Sequence, residues 1–195
     1  TINAAYQRIA LNRGIEVFNE GNYSEAIKLF NKSLENQLDN NLTAAAYFLR
    51  GECSYRLGNY EGSLRELNSF YKVPNSNKSI YYPKANYSMA YNYFKKKNYV
   101  KAKDYFNSFI NTGLGEHPQI ISDAHNRLAD CHFMERDFNN AIKEYNYVIN
   151  KNLIDVDYAT YQKGLCVGAL GNVANKSSIL EKAIAEFPNS SYKAS

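Results

Sequence analysis

The chain has no tryptophan, only four prolines and three cysteines in 195 residues. It holds no apolar run close to the roughly 20 residues a helix needs to cross a bilayer. An odd, small number of cysteines excludes a fully paired disulfide framework. The excess of one charge sign is small too. The 23 basic and 19 acidic residues leave a net charge of +4, and the basic ones are spread out. Their one run, Lys95-Lys96-Lys97, falls at an expected helix end, where cations complement exposed carbonyls. With no second basic cluster or groove motif, nucleic acid is not an expected partner. The sequence has no Gly-rich phosphate loop, nucleophile elbow, Cys-x-x-Cys or His-x-x-x-His, so neither enzyme chemistry, a cofactor nor a metal is expected. No signal segment is visible, but the chain opens on Thr1 and reads as a mature or excised piece. That absence therefore leaves its compartment open.

What is present is aromatic and periodic. Eighteen tyrosines and ten phenylalanines stand in for the missing indoles, and a hydrophobic content of 45% suffices for a packed core. A small residue recurs at Gly14, Gly51, Ala90, Ala129 and Gly164, at spacings of 37, 39, 39 and 35 residues. Nine positions after each stands Tyr23, Tyr60, Tyr99, Phe138 or Val173; twelve after, Ala26, Ser63, Ala102, Ala141 or the discordant Lys176. Sixteen after comes Phe30, Leu67, Phe106, Tyr145 or Leu180. Fixed small and aromatic positions recurring at this interval predict a stacked array of units that bury their apolar faces against one another.

Each unit reads as two helices. Ile9, Leu11, Ile15, Val17 and Phe18 give the segment from Ala4 to Glu20 a helical spacing, and Ala26, Ile27, Phe30 and Leu34 do the same from Tyr23 to about Gln37. Between them Gly21 offers the left-handed conformation that ends a helix, and Asn22 a cap for the next. The punctuation returns as Gly58-Asn59, Lys97-Asn98, Arg136-Asp137 and Gly171-Asn172. Extra length falls between units, around Asn40 to Thr43, Asn77 to Tyr82 and Glu116 to Ile121, near Pro74, Pro83 and Pro118. No domain linker is visible. The expectation is one array with units at 4–40, 41–77, 78–116, 117–155 and 156–190, and a further helix starting at 191–195.

Cys53, Cys131 and Cys166 each stand two residues after a landmark, in equivalent slots of different units, too far apart to pair. They read as free, buried, packing thiols. His125 and His132, with Asp130 and Cys131 between them, invite a metal reading. The histidines stand seven residues apart, without the spacing of a metal-ligand pair, and packed, hydrogen-bonded imidazoles are expected instead.

This pattern resembles the tetratricopeptide repeat over about residues 4–190, most specifically in the second to fourth units. The family's usual Trp is replaced by Tyr47, Asn86, His125 and Thr160, and the fifth unit departs at Val173 and Lys176. The resemblance implies an all-α fold, a right-handed α-solenoid of about five helix-turn-helix repeats whose first helices line a concave face. Residues six and three before each landmark, and one and four after, would then face that groove. They are Arg8, Leu11, Ile15 and Phe18; Ala45, Phe48, Glu52 and Tyr55; Lys84, Tyr87, Tyr91 and Phe94; Asp123, Asn126, Asp130 and Phe133; and Tyr158, Tyr161 and Leu165. Phe48, Glu52, Tyr55, Lys84, Tyr87, Tyr91, Phe94, Asn126, Asp130, Tyr158 and Tyr161 are the candidate partner-binding residues. For the position four after the landmark, packing on a neighbour and ligand contact are both open.

Some family members hold a chaperone's C-terminal carboxylate with Lys and Asn. The matching slots here hold Leu11 and Ile15, Phe48 and Glu52, or Tyr87 and Tyr91, so that clamp is not expected. The resemblance implies a non-enzymatic scaffold that binds a peptide or protein segment in an aromatic groove. The alternative is a sensing or regulatory arm of a larger bacterial protein. Segments such as Phe187-Pro188-Asn189-Ser190 are similar to those of cell-envelope repeat proteins of Gram-negative bacteria, which points to the periplasm, with the cytoplasm as the alternative. Self-association through the uncapped C-terminal end is a further expectation.

Overall fold

The structure is a computed structural model that describes residues 2–112 and 117–194. Glu116, with which the third inter-unit connection was expected to begin, and Ser195 of the tail lie outside the described residues, as does Thr1. Every described regular element is helical. The α-helices are α1 (Ile2–Asn19), α2 (Tyr23–Leu34), α3 (Asn40–Arg56), α4 (Tyr60–Lys72), α5 (Tyr82–Lys95), α6 (Tyr99–Asn111), α7 (Pro118–Met134), α8 (Phe138–Asn150), α9 (Val156–Ala169) and α10 (Val173–Glu186). Short 3-10 turns occupy Ser76–Lys78 and Ser191–Ala194.

The five short turns inside the repeats share one conformation. Gly21, Gly58, Lys97, Arg136 and Gly171 all have positive φ, between 58° and 89°. Asn22, Asn59, Asn98, Asp137 and Asn172 then cap α2, α4, α6, α8 and α10, each side chain accepting from the backbone N–H three residues on. Those bonds satisfy donors that a helix start leaves without intrahelical partners. Lys97 and Arg136 hold this shape without glycine's freedom, at a cost of about 1–2 kcal/mol each.

The chain divides into two compact units, residues 1–97 and 98–195. In the first, α1 packs on α2 and α3 on α4, and α2 and α4 pack in turn against α3 and α5. Phe30, Leu67, Phe70, Met89 and Cys53 are fully enclosed there. The seam between the first two hairpins is polar: Gln7, fully buried, donates to Thr43 Oγ1 at 3.0 Å and accepts from the amides of Leu38 (3.2 Å) and Asp39 (3.0 Å). One glutamine thus satisfies the loop that turns the chain from α2 into α3.

In the second unit α7 packs on α6 and α8, and α9 on α8 and α10. Its core gathers Ala129, Ala141, Tyr145, Val148, Ala159 and Cys166. By contrast α10 has no buried residue. The fifth-repeat departures Val173 and Lys176 sit on this helix, and Val173 is 66% exposed.

Candidate functional site

Cys53, Cys131 and Cys166 are free and fully buried. Burial pushes each thiol up to about 12, so none is a thiolate near neutral pH and none is poised as a nucleophile. His125 stacks on Tyr147 at 3.8 Å with its Nδ1 2.7 Å from Glu144 Oε2, and His132 Nδ1 lies 2.9 Å from the capping carboxylate of Asp137. Both imidazoles are thus engaged in packing and hydrogen bonds.

The candidate groove residues separate into three groups. Some are packed away. Phe48 is 5% exposed, edge-on to Phe70 at 6.4 Å and stacked on Tyr81 at 4.9 Å, so little of its ring is open to a ligand. Asn126 is 1% exposed, and among the described residues its Oδ1 has no hydrogen-bond partner. Asp130 is enclosed by its own unit. The hydroxyls of Tyr145 (2.6 Å) and Tyr158 (2.8 Å) donate to its Oδ1, and Arg127 donates to Oδ2. The Arg127 guanidinium also lies 5.0 Å over the Tyr158 ring. Burial raises the Asp130 pKa, against the opposing pull of Arg127 and the two phenols. The sequence rule that placed these residues on the inner face took account of helix rotation but not of what the neighbouring helix would press against them.

A second group is covered by the chain's own tail. Tyr192, in the turn Ser191–Ala194, lies edge-on to Tyr158 at 5.0 Å and stacks with Tyr161 at 6.5 Å. With Leu180 and Phe187, the rings of Tyr161 and Tyr192 border a small hollow of about 70 Å³.

The third group converges in the first unit. Glu52, Tyr55, Tyr87 and Tyr91 line an open hollow of about 180 Å³ between α3 and α5, together with Arg56 and Ser88. The wall is built by helical spacing: Glu52 and Tyr55 are one turn apart on α3, and Tyr87 and Tyr91 one turn apart on α5 with ring centres at 4.9 Å. Phe94 continues the row, 6.4 Å from Tyr91. Lys84, exposed, stands one turn before Tyr87, on α5. At the floor the Ser88 hydroxyl donates to Glu52 Oε1. Burial raises the Glu52 pKa, and the Ser88 bond and the charges of Arg56 and Lys84 offset this only in part. Ser88 and Arg56 escaped the sequence reading because they fall on the shoulders of the inner face, one position beyond the residues that the repeat rule selects. A lone serine among the alanines and tyrosines of α5 was the only signal.

The residue four after the landmark has a regular neighbour. Phe18, Tyr55 and Phe133 each place their ring 5.4 Å from the first aromatic of the next helix, Tyr23, Tyr60 and Phe138. Packing is therefore present at this position, and Tyr55 also borders the hollow.

Two family models, both described as tetratricopeptide repeat, match residues 11–76 and 84–112. No curated protein matches the chain. Among solved structures, a crystal structure of MamA protein is 17% identical with a TM-score of 0.79, covering 95% of this chain and 93% of that one. MamA residues 41 to the end from Desulfovibrio magneticus RS-1 are 14% identical with a TM-score of 0.75, covering 95% and 98%. YrrB, described as a TPR protein with an unusual peptide-binding site, is 17% identical with a TM-score of 0.77, covering 94% and 88%. At such identities the likeness is one of fold, an all-helical repeat solenoid.

Proposed function

We propose a binding role for this chain, which belongs to the tetratricopeptide repeat family: it holds a peptide or an extended protein segment against the aromatic hollow between α3 and α5. The family is in general a non-enzymatic protein-interaction fold, and the chain is read as a scaffold component without catalytic activity. The observation that carries the reading is the convergence of Tyr55, Tyr87 and Tyr91 on one open hollow. Tyrosines offer large contact area with few rotatable bonds, so little freedom is lost when a ligand orders them. The helices that carry them are held by fully buried neighbours, Cys53 on α3 and Met89 on α5. The wall therefore stands ready before a ligand arrives, which reduces the ordering cost of binding. YrrB, of similar fold, is described as binding peptide at an unusual site, and this supports the class of ligand without locating it.

The test is a display selection of peptides on the wild-type chain, followed by titration of the selected peptides against wild type and a Tyr87→Ala/Tyr91→Ala variant. Loss of both rings should weaken binding by about tenfold to a hundredfold, in line with truncation of two interface anchors. Circular dichroism should be unchanged, because both side chains are only half-buried. Selected peptides that bind both proteins with equal affinity would refute the assignment.

A further inference from the structure

Two carboxylates occupy the same slot, one residue after the landmark, in different repeats: Glu52 after Gly51 and Asp130 after Ala129. Their surroundings differ in one decisive respect. Asp130 is neutralised by its own unit, with Arg127 on one oxygen and two phenols on the other. Glu52 receives only the Ser88 hydroxyl, on Oε1; among the described residues no ion pair or hydrogen bond reaches Oε2, and that atom is not among the fully buried orphans. Glu52 is one of the residues that line the hollow. Resting on the reading of this hollow as the binding site, we propose that it is a cation subsite, which seats the lysine or arginine side chain of the bound segment against the Glu52 carboxylate and the rings of Tyr55, Tyr87 and Tyr91.

The charges nearby decide between a cation and an anion. Arg56 and Lys84 lie close enough to act on Glu52, but both residues are exposed, so water and salt screen their charges. Glu52 is half-buried on the floor, where the field of a charge is weakened less. An anion entering the hollow would have to approach that carboxylate. A cation would meet it directly, and would meet tyrosine rings, whose faces attract cations. Burial raises the pKa of Glu52, and the Ser88 bond and the charges of Arg56 and Lys84 offset this only in part. A volume of about 180 Å³ admits the end of one long side chain. Arg56, which also lines the hollow, is then a competitor for Glu52 and not a partner of the ligand.

The probes are three heptapeptides, N-acetyl-Ser-Tyr-Gly-X-Gly-Tyr-Ser-amide, with X as arginine, its neutral isostere citrulline, or glutamate. They are titrated by NMR into the whole chain, with the ring resonances of Tyr55, Tyr87 and Tyr91 as readout. The arginine peptide should bind at least about tenfold tighter than the citrulline peptide, and the glutamate peptide weakest. Glu52→Gln should abolish that ranking while leaving the spectrum outside the hollow unchanged, and Arg56→Ala should tighten the arginine peptide. Arginine and citrulline peptides that bind equally, both weakened by Tyr87→Ala/Tyr91→Ala, would overturn the cation subsite and leave the groove reading intact. If no peptide moves the three tyrosines, the subsite and the groove reading fail together.

Discussion

At the scale of single residues, the landmark position shows how one slot is tuned by what faces it. Gly14, Gly51 and Gly164 alternate there with Ala90 and Ala129, both fully buried. A Cβ on Gly14 would stand 2.5 Å from the Phe30 ring, which is itself fully enclosed and has nowhere to go. A Cβ on Gly51 would stand 3.3 Å from the nearest atom of Leu67, a gap that a few tenths of an ångström of adjustment restores. Alanine in a helix interior gains about 1 kcal/mol over glycine, and overpacking a filled core costs about 1–3 kcal/mol. The two substitutions should therefore differ in sign. Gly14→Ala should lower the urea midpoint, by about 1 kcal/mol or more in stability, and Gly51→Ala should leave it unchanged or raise it. Equal midpoint shifts for both would mean that the ring of Phe30 yields more readily than its burial implies.

Among elements, the turns and the helix seams were legible to different degrees. The Gly/Lys/Arg-Asn/Asp dipeptides were readable because their chemistry is local: a left-handed residue and a cap need no distant partner. The Asp130 hub was not, since it draws Tyr145 from α8 and Tyr158 from α9 onto α7, and three separate stretches of sequence give no sign of such a meeting. Phe48 is hidden by Phe70 and Tyr81 for the same reason. The hub has a pH signature. Burial raises the native pKa of Asp130 above its ordinary value of 3.8, with Arg127, Tyr145 and Tyr158 pulling it down and Asp123 adding to the rise. The native state therefore takes up the proton more readily than the unfolded chain. The resulting penalty is absent below pH 3.8, grows as pH rises toward the native pKa, and is constant above it. Stability of wild type minus that of Asp130→Asn should fall as pH rises through this window. Urea titrations at several pH values check it, and a difference that rises with pH would show a native pKa depressed by Arg127 instead.

On the scale of the whole molecule, the all-helical repeat class was legible end to end, because it is written in spacing alone. What spacing cannot carry is how firmly each repeat is held. The fifth keeps Gly164 and Leu180 in place yet substitutes Val173 and Lys176, and α10 has no buried residue. In repeat proteins, stability is close to a sum of unit and neighbour terms, so a helix with no buried residue should open first. By contrast α8 lies between α7 and α9, with Ala141, Tyr145 and Val148 fully enclosed. Hydrogen exchange followed by mass spectrometry should show the amides of α10 exchanging first in the second unit, and those of α8 last. A separation of about tenfold or more in protection would correspond to at least 1.4 kcal/mol of local stability. Equal protection along α8 and α10 would mean that the unit opens all at once, and that Val173 and Lys176 carry no energetic consequence for it.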